Sequence, residues 1–108
     1  MSPVTQPTEL PQPGREEIRI EQVLAALGDP VRLLYVRQLA EAPPEGLACG
    51  SVPLPVTKST RTHHLRILRE AGVISMRAVG TRRIATLRRD DLNALYPGLL
   101  DGVLGAPH

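Results

Sequence analysis

The stretch from Val56 to Gly72 admits one regular structure, and that structure limits what the rest of the chain can build. Thr57 is a good helix N-cap, its hydroxyl placed to accept an amide hydrogen of the first turn. Gly72 stands where a helix commonly closes on a left-handed glycine. Wound at about 100° per residue, the residues between them fall on two sides. Thr60, His64, Leu65, Ile67, Leu68 and Ala71 gather on one side, and Ser59, Thr62, His63, Arg66, Arg69 and Glu70 on the other. The first side suits a core. The second carries short hydroxyls near its start and arginines further along. Val73 to Ala78 and Arg83 to Arg88 then read as strands, with Val79-Gly80-Thr81-Arg82 as their turn. A helix of this kind followed by a two-stranded hairpin predicts a mainly α fold with a β-hairpin wing.

The remaining segments supply what such a unit must pack on. Pro3, Pro7, Pro11 and Pro13 remove amide donors from residues 1–15, which read as a disordered or extended arm. A first helix is predicted from Glu16 to Leu27, with Ile20, Val23, Leu24 and Leu27 at helical spacing and Gly28 at its end. Asp29 can cap a second helix in which Pro30 takes the first turn, where a missing N–H costs nothing. That helix is expected to reach about Ala42, stopped by Pro43-Pro44. Gly46, Gly50, Pro53 and Pro55 leave room for only a short helix near 47–52. Asp90-Asp91 suit the positive end of a last helix, whose stripe is Leu92, Leu95, Tyr96, Leu99, Leu100, Val103 and Leu104, interrupted at Pro97-Gly98. The expected division is an arm over 1–15, one domain over 16–104 and a tail over 105–108. With no Phe or Trp in 108 residues, the core must be Leu, Val, Ile and Ala, and so small a domain gains from pairing with a second copy.

Charge narrows the partner. The net charge is only +2, yet residues 56–89 hold nine Lys/Arg against one acid, while both flanks are acidic. A basic block of this kind points to nucleic acid. On the helix and hairpin the candidate contacts are Lys58, Ser59, Thr60, Thr62, His63, Arg66, Arg69, Arg77, Arg82 and Arg83. Short side chains let a helix backbone approach base edges, and arginine reaches guanine or phosphate. Arginines near a hairpin tip suit a backbone or minor-groove contact. Together these make a winged helix-turn-helix reader of double-stranded DNA. The bland alternative for the helix is a solvated amphipathic face; the functional alternative is a winged-helix module that binds protein or RNA. An enzyme is disfavoured, because His63-His64 has no Cys, Asp or Glu at ligand spacing and no nucleophile motif is present. The single cysteine forms no intramolecular disulfide, no signal-peptide pattern is present, and no apolar run could span a bilayer; a cytoplasmic protein without membrane contact is expected.

Two segments resemble one family. Leu27-Gly28-Asp29-Pro30-Val31-Arg32-Leu33-Leu34 looks like the L-x-D-P-x-R entry of the ArsR-type winged-helix repressors, and Ser59 to Ile74 looks like that family's recognition helix and its exit. The likeness spans roughly residues 17–104, and Arg61 departs from it, standing where the family has a small apolar residue. The resemblance implies a transcriptional regulator, more specifically a repressor, binding a palindromic operator as a homodimer built on the first and last helices. In this chain the paired stripes would be Ile20, Val23 and Leu24 against Leu92, Leu95, Leu99 and Val103. It also implies a helix-turn-helix made of the 47–52 segment and the 57–71 helix. Many relatives sense a metal ion. The cysteine-pair site is not matched, since Ala48-Cys49-Gly50 offers one thiolate where soft metals need more. The last-helix site is not matched either, since no His follows Asp90-Asp91 on that helix. A metal ion effector would need an unusual site using His63, His64 or the termini. Cys49 itself reads as a small core residue, with thiol oxidation as the second option.

Overall fold

A computed structural model describes residues 8–105. Eleven short elements follow one another, and each boundary has a local cause. The arm enters as strand β1, Thr8–Glu9. A 3-10 turn at Arg15–Glu17 follows, closed by the Glu17 carboxylate accepting the Gly14 N–H at 2.9 Å. The predicted helix from Glu16 to Leu27 is therefore shorter than expected: Ile18 and Arg19 are extended, and helix α1 is Ile20–Leu27. The break lets the Ile18 side chain turn inward, where it is buried against Gly72. Helix α2, Pro30–Ala40, starts where Asp29 was expected to cap it; Asp29 Oδ2 accepts from Val31 N at 2.9 Å and Arg32 N at 3.0 Å.

Residues 45–55 depart most from expectation. No α-helix forms over 47–52, and the short helix expected there is reduced to one 3-10 turn. Leu47–Ala48 forms strand β2, and Cys49–Ser51 is a single 3-10 turn. The reason lies at Gly46, which has φ +89°; a Cβ there would sit 2.3 Å from the Ala85 carbonyl oxygen. Only glycine lets the chain cross so close to the sheet, and once across it pairs rather than coils.

Helix α3, Lys58–Glu70, is capped by Thr57, whose Oγ1 accepts from Thr60 N at 3.2 Å. It ends as expected. Gly72, at φ +84°, gives its N–H to the Arg69 carbonyl at 3.1 Å, and Val73 gives its own to the Leu68 carbonyl at 3.0 Å, the paired bonds of a Schellman cap. Strands β3, Ile74–Val79, and β4, Arg82–Leu87, form the hairpin, joined at Gly80-Thr81. The expected last helix is two pieces, α4 Arg89–Leu95 and α5 Leu99–Leu104, broken at Pro97-Gly98 where Gly98 has φ +87°.

The sheet has four strands in the order β1-β3-β4-β2, with antiparallel neighbours. On its inner face Ile74, Met76, Ala85 and Leu87 meet Leu65 and Leu68 of α3, Val36 and Leu39 of α2, and Leu92 and Leu100 of the last helices. Leu68, Ile74, Leu92 and Val36 have no exposed surface, and among the described residues no polar or charged residue is buried as a whole, though the Tyr35 hydroxyl and the Nε atoms of Arg37, Arg61 and Arg69 are. Helices on one face of a small sheet, a one-turn lead into α3 and a hairpin after it make this a winged helix. Of the predicted arm, residues 1–7 lie outside the described residues; Thr8 to Pro13 is extended but not free, since it is paired along β3. Of the tail, 106–108 lie outside them as well. No helix among the described residues is long and apolar enough to cross a membrane.

Candidate nucleic-acid interface

The position of α3 is set from beneath by the Asp29-Pro30-Val31-Arg32 corner. The Arg32 guanidinium donates to the Ala26 carbonyl at 2.7 Å and the Ala25 carbonyl at 3.3 Å, so it covers the unpaired end of α1. It also reaches His64 Nδ1 on α3 at 3.1 Å, and Asp29 lies 4.0 Å from the same nitrogen. The amide of Arg32, then its guanidinium and the amide of Val31, hold the Asp29 carboxyl below the ordinary aspartate value. This motif locks the end of α1 and the start of α2 to the middle of α3.

On the opposite side α3 presents Lys58, Ser59, Thr62, His63 and Arg66, all exposed. Arg66 is aligned within this row by His63 Nδ1 at 3.2 Å and by Glu70, 3.8 Å away. Thr60 is exposed too, but its hydroxyl accepts from that of Thr57 at 2.9 Å and serves the cap. From the wing, Arg83 comes down beside this row. It shares a small crevice of about 140 Å³ with Thr62, Arg66, Arg69 and Cys49. A second hollow, between Thr57, Lys58, Ser59 and Thr62, continues the surface to the start of the helix. Free amides and a positive helix end there suit an anion.

Not every predicted contact joins this surface. The pleat puts Arg83 on the sheet face of Met76 and Ala85, whereas Arg77 and Arg82 lie on the other face, opposite Ile84 and Val79. Arg77 donates to the Glu45 carbonyl at 2.8 Å and to Thr86 Oγ1 at 3.4 Å, which ties the wing to the turn before β2. Arg82 is exposed beside the hairpin turn. Arg69 turns back and donates to the Pro11 carbonyl at 2.6 Å. Arg88 and Arg89 likewise donate to the chain's own carbonyls, those of Pro13 and Ala40. The basic block thus divides in two: some cations face outward while others bond the chain's own carbonyls.

Arg61, which sequence reasoning left out of the site, is half-buried on the inner side of α3. Its charge acts on Tyr35 and Cys49 together. Burial pushes the Tyr35 hydroxyl far above its usual range and raises the Cys49 thiol as well. No signal in the helical pattern could have found this, because an arginine at an inward position reads as an exception rather than a contact. Among the described residues no three His, Cys, Asp or Glu side chains gather to hold a metal. The cations of Arg61 and Arg83 beside Cys49, and the two arginines on Asp91, oppose a divalent ion at either place.

The interface predicted between copies is also divided. Val23 and Leu92 have no exposed surface and belong to the core, which removes them from any outer face. Ile20 and Leu24 stay 38% and 50% exposed, and Leu95, Leu99 and Val103 are half-buried. The Tyr96 hydroxyl donates to the Ile18 carbonyl at 3.3 Å and holds α4 beside the start of α1.

No family model matches the chain. It is 34% identical over 82 residues to the uncharacterized HTH-type transcriptional regulator YceK of Bacillus subtilis, covering 74% of this chain and 81% of that protein. It is 38% identical over 76 residues to the HTH-type transcriptional regulator Rv2034 of Mycobacterium tuberculosis, 68% of each chain. It is 36% identical over 63 residues to the uncharacterized HTH-type transcriptional regulator MJ1325 of Methanocaldococcus jannaschii, 56% of this chain and 67% of that protein.

Proposed function

The chain belongs to the HTH-type transcriptional regulators, and on that premise we propose that it binds double-stranded DNA sequence-specifically as a repressor of the ArsR type. The observation that carries this reading is the continuous surface of Lys58, Ser59, Thr62, His63 and Arg66 on α3 with Arg83 of the wing beside it. α3 would lie in the major groove, where Ser59, Thr62, His63 and Arg66 can meet base edges, while Lys58 and Arg83 meet phosphate. Hydrogen bonds to base edges supply specificity; the outward cations supply the salt-dependent part of affinity.

The operator reading is palindromic. Two copies would pair through Ile20 and Leu24 of α1 and the outer faces of α4 and α5, which the Tyr96–Ile18 bond keeps adjacent. Half-sites would then be about 34 Å apart, one turn of the duplex. Neither Cys49 nor Asp90-Asp91 is assigned a metal, given the arginines around Cys49 and Asp91.

A selection of random duplexes on the full chain, followed by titration of the enriched duplex at several salt concentrations, tests the function. The expected result is an enriched palindrome whose affinity falls steeply with salt. Affinity indifferent to salt, or a selection that enriches nothing, would sink it and favour a protein- or RNA-binding module. Arg66→Ala should weaken binding to the enriched duplex; wild-type affinity in that variant would remove α3 from the groove.

A further inference from the structure

The segment Glu9 to Arg15 joins the parts of the molecule that the DNA reading depends on. β1 pairs with the outer edge of β3, Thr8 opposite Ala78 and Glu9 opposite Arg77. Leu10 N–H then donates to the Met76 carbonyl at 3.0 Å, and the Gln12 side-chain oxygen accepts the Met76 N–H at 2.9 Å. Both backbone groups of Met76 are thereby closed by the arm. Pro11 and Pro13 have no N–H to offer, but their carbonyls are taken by Arg69 at the end of α3 and by Arg88 just after β4. Arg15 Nε meets Asp91 of α4 at 2.7 Å. The strap passes just beyond the end of α3 at Gly72, where a Cβ would stand 2.6 Å from Ile18 and 3.4 Å from Pro13.

We propose that this strap sets the position of the wing relative to α3, and that Arg69 is a positioning residue rather than a DNA contact. The physical need is plain. A two-stranded hairpin has little stability of its own, and β2 holds only the β4 edge, by two residues. On the β3 edge, the strap adds backbone pairing to the core packing of Ile74 and Met76. Arg69 joins that strap to the helix whose outer face would read the groove. Its side chain borders the crevice shared by Arg66 and Arg83, but its Nη1 is engaged with Pro11 and its Nε is buried, so the guanidinium is held by the strap. The proposal rests on the DNA-binding reading above.

Salt dependence separates a contact from a positioning residue. Each phosphate neutralised contributes about 0.9 to the slope of log affinity against log salt. The test uses the full chain, the enriched duplex and the variants Arg66→Ala, Arg69→Ala, Arg69→Lys and Gln12→Ala. Arg66→Ala serves as the contact standard and should flatten the slope by about one. Arg69→Ala should weaken binding about tenfold, the worth of one charge-assisted hydrogen bond, at every salt concentration with the slope kept. Arg69→Lys should restore part of the loss. Gln12→Ala, which removes no charge, should reproduce the pattern, and in both strap variants the Met76 and Ala78 amides should exchange with solvent faster. A slope flattened by Arg69→Ala as much as by Arg66→Ala would overturn the proposal and make Arg69 a contact. Wild-type affinity and exchange in both strap variants would overturn it too. If the wild-type chain enriches no duplex, the DNA reading itself fails and takes this proposal with it; failure of the slope test alone leaves that reading intact.

Discussion

Replacing Asp29 with alanine removes one carboxylate that does several things at once. It accepts the Val31 and Arg32 amides at 2.9 and 3.0 Å, faces His64 at 4.0 Å, and stands at the positive end of α2. Loss of an N-cap side chain costs about 1 kcal/mol, and loss of a carboxylate at a helix start adds about 0.5 kcal/mol. For a domain of this size about 1.5 kcal/mol lowers the melting temperature by roughly 6–12 °C. Denaturant unfolding of wild type, Asp29→Ala and Asp29→Asn at neutral pH gives the first comparison, with the asparagine variant falling between, since Asn caps well but carries no charge. The second comparison is with pH. The Arg32 amide in particular keeps the folded carboxyl below its ordinary value of 3.8. The unfolded chain therefore takes up the proton more readily than the folded one. The charge contribution is full above the unfolded value and is lost as pH falls through the folded one. The gap between wild type and Asp29→Asn should accordingly stay level down to about pH 5 and close below it. An Asp29→Ala variant as stable as wild type, or a gap that widens on acidification, would refute the argument.

Two other variants separate roles that the sequence pattern lumps together. Leu24→Glu, at a half-exposed position on α1, should leave the fold intact and convert a dimer to monomer in sedimentation at micromolar concentration; a wild-type monomer, or a variant that still pairs, argues against the α1 interface. Arg77→Ala should cost about 1 kcal/mol of stability through the lost Glu45 and Thr86 bonds, while the salt slope of DNA binding stays near that of wild type; a flattened slope would return Arg77 to the contact surface.

The parts of this molecule that could be read in advance are those whose cause is local. Thr57 and Gly72 bracket α3 because a cap hydroxyl and a left-handed glycine act within a few residues of themselves. Asp29-Pro30 marks α2 for the same reason. The start of α1 was misplaced because Ile18 leaves the helix to fill a site against Gly72, 54 positions away. β2 was missed because its pairing partner is β4, far along the chain, where Gly46 passes close to the Ala85 backbone carbonyl. Pro11 and Pro13 of the arm lie in extended backbone, which proline favours. That preference says nothing of where an extended chain will lie, and here it lies on β3, more than 60 residues later.

The arginines show why charge locates a surface less sharply than it implies one. Of the nine cations between Val56 and Arg89, Arg69, Arg77, Arg88 and Arg89 each donate to a backbone carbonyl. Those carbonyls belong to Pro11, Glu45, Pro13 and Ala40, at loop or helix ends where the chain supplies no amide partner of its own. A carbonyl leaves no mark in a sequence, so an arginine spent on one is indistinguishable there from an arginine awaiting phosphate. The bonds do not discharge the guanidinium. All nine cations still contribute to the field that draws a polyanion in, but only those with free donors can fix its register. On the DNA-binding reading proposed above, steering would fall to all nine members of the charge block and reading only to those whose donors are not spent on the chain's own carbonyls.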